Sequence, residues 1–127
     1  MAKEITQGIE VNVESFFVPE KSNPQKAYFF FAYNVKITNN SDQPAKLLSR
    51  HWIITDGMGR THEVKGDGVV GDQPHLQNGE AYEYTSFCPL QTPSGNMTGT
   101  YTMVRDDGTK FDAKIPLFVL VDESAVN

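Results

Sequence analysis

A single cysteine, Cys88, occurs in the chain, so no internal disulfide can form. Small secreted β domains are commonly stapled by one, and the absence favours a reducing compartment. Long apolar runs are missing too. Nothing approaches the roughly 20 consecutive apolar residues of a membrane-spanning helix. The opening stretch, Met1-Ala-Lys-Glu-Ile-Thr-Gln-Gly8, lacks the apolar segment that a secretory signal requires. By elimination, the expected location is the cytoplasm. Positive charge is scarce: 11 Lys and Arg stand against 16 Asp and Glu, a net charge of −5, and no basic cluster reverses the balance locally. That balance argues against nucleic acid or an anionic membrane as a partner. Helical periodicity is also absent, since no stretch repeats apolar residues at i, i+3, i+4 and i+7.

What the chain does have is aromatic bulk and alternation. A length of 127 residues makes one domain, spanning 1–127, and eight Phe, five Tyr and one Trp give it a core. Ile9-Glu-Val-Asn-Val-Glu14 alternates with period two, which predicts a half-buried strand with Ile9, Val11 and Val13 inward. Phe29, Phe31, Tyr33, Val35 and Ile37 predict the inner face of a second strand over Ala27 to Thr38. A third runs from Ala45 to Thr55 and a short one from Arg60 to Lys65. Glu80 to Phe87, Thr100 to Val104 and Lys110 to Val121 complete about seven strands, the last with Pro116 at an edge or a bulge. Residues 19–26, 66–79 and 88–99 read as loops from their Pro and Gly content, and 122–127 as a frayed tail. Short strands separated by turn signals call for an all-β sandwich or barrel. Trp52 midway along the third strand favours an immunoglobulin-like or fibronectin type III-like β-sandwich.

Three stretches together carry a family resemblance: Leu47-Leu-Ser-Arg-His-Trp-Ile-Ile-Thr-Asp56, Gly66-Asp-Gly-Val-Val-Gly-Asp-Gln-Pro74, and Tyr84-Thr-Ser86 followed by Gly99-Thr-Tyr-Thr-Met103. In that order and spacing they resemble the ApaG family over essentially the whole chain. Phe87 departs from the family's usual Gly and Asn78 from its usual Pro, each at what reads as a strand end or turn. The resemblance implies a fibronectin type III-like fold and an association with cobalt and magnesium efflux or resistance. Related domains in F-box proteins and in a polymerase delta-interacting protein imply partner binding. The family's Gly-x-Gly-x-x-Gly stretch has been likened to a pyrophosphate-binding motif.

Gly66-Asp67-Gly68-Val69-Val70-Gly71 matches the dinucleotide fingerprint as a string but not as a mechanism. The fingerprint needs a helix whose N-terminal amides hold the pyrophosphate, and no helical pattern follows Gly71. A backbone nest for pyrophosphate or a nucleotide phosphate remains open. The acidic neighbours Glu63, Asp67 and Asp72 oppose a bare anion unless Arg50, His51 or a divalent cation such as Mg²⁺ or Co²⁺ intervenes. The plainer reading is a tight turn that uses glycine for positive φ. Alternation puts Arg50 and Trp52 on one face and His51 on the other. Trp52 belongs to the core, so Arg50 must reach a strand end, pair with a carboxylate or lie exposed. His51, His62 and His75 lack the spacing of a zinc site, and Cys88 reads as a small buried thiol. Val69 and Val70 either cap the sandwich or form a contact surface. No residue reads as catalytic. The sequence therefore points to a non-catalytic module that binds a protein partner. Its candidate surface is Gly66, Gly68, Gly71, Arg50 and His51 with Val69, Val70 and Trp52, and small-anion binding at the glycine loop is the alternative.

Overall fold

The computed structural model describes residues 1–125 as a two-sheet β-sandwich. One sheet is ordered β1 (Ala2–Thr6), β2 (Ile9–Phe17), β3 (Phe29–Asn39), β7 (Ala81–Leu90). The other runs β5 (Thr61–Asp67), β4 (Ala45–Asp56), β8 (Ser94–Arg105), β9 (Lys110–Val121), with the two-residue β6 (His75–Leu76) paired to the start of β4. All pairings are antiparallel. Among the described residues no helix is long and apolar enough to cross a membrane.

The alternation that predicts β2 and β3 is realised in the core. Ile9, Val11 and Val13 are buried, as are Phe29, Phe31, Tyr33, Val35 and Ile37 opposite them. Trp52 stands at the centre of an aromatic cluster. Its ring meets Tyr33 at 5.3 Å, Phe118 at 5.9 Å and Tyr101 at 6.2 Å between centroids, all edge-to-face. That geometry aims positive ring edges at negative ring faces and adds to the area term.

Several boundaries differ from the sequence reading. The N-terminal stretch is β1, which covers the free edge of β2. Residues 88–99 are mostly strand, because β7 extends to Leu90 and β8 begins at Ser94. Pro89 is tolerated because β7 is an edge strand with no ladder partner on its outer side. Gly99 is a close-approach residue: a Cβ there would sit 2.0 Å from the carbonyl oxygen of His51. Phe87 accordingly lies within β7, opposite Ala32, and not at its end. The proline loop forms two short 3-10 turns, Pro19–Lys21 and Pro24–Lys26. In the tail, Glu123–Ala125 forms a third beside the buried Asp122, and residues 126–127 lie outside the described residues.

Two bulges decide which residues face inward. The β4–β8 register shifts between Leu47 and Ser49, so the inward set changes from Ala45 and Leu47 to Arg50, Trp52 and Ile54. The β8–β9 register shifts between Met97 and Gly99, opposite Pro116. Pro116 thus occupies both an edge strand and a bulge, as its missing N–H requires.

Candidate functional site

The bulge at Leu48 builds the site. A bulge takes a residue out of the ladder, and here the Leu48 carbonyl accepts from the Gly68 N–H at 2.8 Å and from Nε2 of Gln73 at 2.9 Å. The Leu47 N–H donates to the Pro74 carbonyl at 2.9 Å. These bonds fasten the 68–74 segment to β4. From the opposite sheet, the Tyr82 hydroxyl donates to Asp72 at 2.7 Å, which raises the tyrosine's pKa. The segment therefore bridges the two sheets at one end of the open flank between β5 and β7.

At its tip, Val69 and Asp72 exchange backbone hydrogen bonds of 2.8 and 2.9 Å, and Val70 and Gly71 between them have φ of +42° and +84°. Positive φ at both central residues makes this a type I′ turn, the two-residue hairpin connection. Gly71 suits it and Val70 does not, because a β-branched residue at positive φ is strained. The two valines divide the roles left open for them: Val69 is fully buried and caps the core, whereas Val70 is 59% exposed. Gly68 is required twice over, with φ of +62° and a position where a Cβ would lie 2.2 Å from the Asp72 carbonyl oxygen.

Beneath this turn lies a cavity of about 240 Å³ between the sheets. Trp52, Ile54 and Met97 line it from one sheet and Tyr33, Tyr84 and Cys88 from the other. Val64 of β5 and Val70 stand at its rim, 42% and 59% exposed, and Phe87, 52% exposed, lies on the outer side of the adjoining edge strand β7. The Phe87 ring stacks on Phe30 at 5.4 Å, with the Lys21 ammonium 5.5 Å from each ring.

Among the described residues Arg50 is the only cationic side chain lining the cavity. Of the three outcomes expected for it, the one that occurs is reaching a strand end, at Asp67, the last residue of β5. Its Nη1 donates to the carbonyls of Asp67 and Gly68 at 3.0 and 2.8 Å, and its guanidinium lies against Gly66, where a Cβ would come within 2.8 Å of Nη2. Among the described residues no carboxylate pairs with it, and Nε and Nη2 make no hydrogen bond to the protein. The residues Gly66, Gly68, Arg50, Val69, Val70 and Trp52 thus converge on one place, with Gly71 at its tip. The amides of Gly68, Val69 and Asp72 are all committed to backbone carbonyls, so the donors left for an anion at this place are Arg50 and the turn-tip amides of Val70 and Gly71.

His51 points the other way, as alternation requires, and Nε2 meets Glu63 at 2.6 Å on the outer face. His75 pairs with Asp106 at 2.8 Å, and His62 lies in a separate groove near Arg60 and Asp56. No three His, Cys, Asp or Glu side chains among the described residues are grouped to hold a metal.

Hydroxyls add polarity inside the cavity. Tyr84 and Tyr101 share a buried hydroxyl–hydroxyl hydrogen bond. Burial raises the pKa of both, and that of Tyr33, against the opposing pull of Arg50. Burial likewise pushes the Cys88 thiol up to about 11, so it is protonated at neutral pH. Sequence reasoning does not reach Tyr33, Ile54, Tyr84 and Met97 as cavity residues. The alternation on β7 signals inward phase for Tyr84, but a cavity is a gap between sheets and leaves no mark on either strand alone.

The ApaG domain model matches residues 19–105. Protein ApaG from Anaeromyxobacter dehalogenans (strain 2CP-C) is 56% identical over 127 residues, covering 100% of both chains. Protein ApaG from Afipia carboxidovorans is 53% identical over 120 residues, covering 94% of this chain and 92% of its own. Among solved structures, a Bordetella pertussis protein described as ApaA superposes with a TM-score of 0.88 at 48% identity, covering 94% of each chain. Fold, motifs and these relatives agree, and the chain belongs to the ApaG family.

Proposed function

We propose that this domain is a non-catalytic binding module that engages a protein partner at the flank between β5 and β7. The observation that carries this reading is the strained, exposed Val70 held over a cavity whose cation, Arg50, has no acidic partner among the described residues. Backbone strain persists only where the surroundings enforce it, and such sites concentrate where function needs them. Val64 and Val70 put two exposed apolar side chains from separate segments at the opening, and Phe87 adds a third on the outer face of the adjoining edge strand β7, the composition of a contact surface. A catalytic role finds little support, because the cavity's one thiol is protonated and the histidines are engaged or distant. We place the module in the cytoplasm, where a lone reduced thiol is at home. The family's link to cobalt and magnesium resistance then reflects the partner's activity rather than ion binding here.

Photo-crosslinking side chains at positions 70 and 87, with one at Lys110 as control, test the reading in cells. One reproducible adduct from 70 and 87, absent from 110, is expected. Equal labelling from all three positions would refute it.

A second reading, pyrophosphate or nucleotide-phosphate binding with or without a divalent cation, draws on the free Nη2 of Arg50. Amide NMR with pyrophosphate, with and without Mg²⁺, tests it through saturable shifts at Gly66, Gly68 and Gly71. Unshifted amides at millimolar ligand would reject it.

A further inference from the structure

We infer that the cavity captures the C-terminus of a polypeptide: the α-carboxylate of a partner whose last residue is bulky and apolar. The inference deepens the partner-binding reading and rests on it. Three observations fix the chemistry. The first is size. A dry cavity of about 150 Å³ holds benzene, so 240 Å³ takes an aromatic or branched side chain together with a carboxylate. The second is lining. Trp52, Ile54, Met97 and the rim residue Val64 offer apolar contact from the β5–β4–β8 sheet, with the rings of Tyr33 and Tyr84 opposite.

The third is charge. The Arg50 guanidinium is fixed by two backbone carbonyls through Nη1 and still has Nε and Nη2 to donate. A planar donor held in advance loses little freedom on binding and favours a carboxylate, which accepts from it as a fork. Tyr33 and Ser86 add hydroxyls to the same lining. Arginine, hydroxyls and an apolar slot together discriminate against a neutral ligand, which leaves the cation uncompensated. They also discriminate against pyrophosphate, which has no apolar part to fill the slot.

A macromolecular terminus, rather than a free small acid, follows from the rim. Val64 and Val70 stay largely exposed at the rim, and Phe87 is exposed on the outer side of the adjoining edge strand, so a ligand confined to the cavity would leave much of their surface uncovered. The residues preceding a terminus would cover them. Both flanking strands are also sheet edges, with backbone groups free to pair with an extended peptide.

The test uses the whole protein and the fluorescence of Trp52, its only tryptophan, which lines the cavity. N-acetyl-Ala-Ala-Phe with a free carboxylate, its C-terminal amide, 3-phenylpropionate and pyrophosphate are titrated in parallel. The free-acid peptide should saturate below about 1 mM and the amide should bind about tenfold more weakly or worse. Arg50→Gln should bring the acid down to the amide's level while leaving the amide unchanged, a coupling that a merely structural role would not produce. Should Arg50→Gln fail to fold, acid against amide on the unaltered protein decides alone.

Equal binding of acid and amide, or no saturable binding by either, overturns the inference. So does phenylpropionate binding as tightly as the peptide, which would make the occupant a free acid, or pyrophosphate binding where the peptides do not. If the peptides fail while the position-70 and position-87 crosslinks persist, this inference falls and the partner-binding reading stands.

Discussion

Replacing Val70 with Asn should stabilise the fold while weakening partner engagement. Val70 occupies the first central position of a type I′ turn at φ +42°. The left-handed region costs an ordinary L-residue about 1–2 kcal/mol. Asn enters it readily, and Asn-Gly is a favoured type I′ pair. The opposing loss is small because Val70 is 59% exposed. Burying a whole Val side chain is worth about 1.5–3 kcal/mol, and the part covered here amounts to ~1 kcal/mol at most. The net expectation is a gain of about 0.5–1 kcal/mol, or a rise in Tm of about 2–5 °C for a domain this size. Differential scanning calorimetry measures it. Val69→Asn is the internal contrast: Val69 is fully buried, and an amide there forfeits the burial and lacks partners, a loss of about 2–4 kcal/mol. A drop in Tm of more than about 2 °C for Val70→Asn would refute the reasoning, because Val70 would then be supplying packing rather than storing strain. Crosslinking or binding at the flank should fall even as Tm rises, the usual mark of a residue kept for function at the expense of stability.

Three further outcomes follow from the same geometry. Gly68→Ala meets both positive φ and a carbonyl oxygen 2.2 Å from the new Cβ. It should lose about 2–4 kcal/mol by urea denaturation, against about 1 for Gly71→Ala, which has the φ but open space. Tyr101→Phe orphans the buried Tyr84 hydroxyl and should lose about 1–3 kcal/mol, whereas adding Tyr84→Phe should recover part of it; strict additivity would deny that the hydroxyls interact. Burial raises Tyr84 and Tyr101 above the usual 10.0, so the unfolded chain loses these protons first and the fold binds more of them. That contribution is fully present below pH 10.0 and is lost as pH rises beyond it through the folded values. The urea midpoint should fall above pH 10, and more shallowly in the Tyr84→Phe, Tyr101→Phe double variant; identical slopes would exclude these tyrosines as the cause.

How much was legible in advance depends on whether the signal was local. Period-two alternation in 9–14 and 29–37 identified strands and their inward faces, because side-chain direction in a strand is a property of the chain itself. Net charge, the lone Cys88 and the glycine string likewise needed no tertiary context, and the string correctly read as lacking a helix. Prolines and glycines misled over 88–99, since Pro89 is a breaker or an edge residue according to what lies beside it, and Gly99 a hinge or a strand residue according to how closely β4 approaches.

The cavity could be found only in three dimensions. A bulge at Leu48 selects Arg50 to face inward, its freed carbonyl anchors Gly68, and Asp72 reaches across to Tyr82. Each of these is a pairing between distant segments. The sequence by itself determined a β-sandwich with an aromatic core, because alternation and turn chemistry act within a few residues. Tertiary structure alone decided that Arg50, Val70 and Trp52 surround one cavity, because register and bulge position depend on which strands meet.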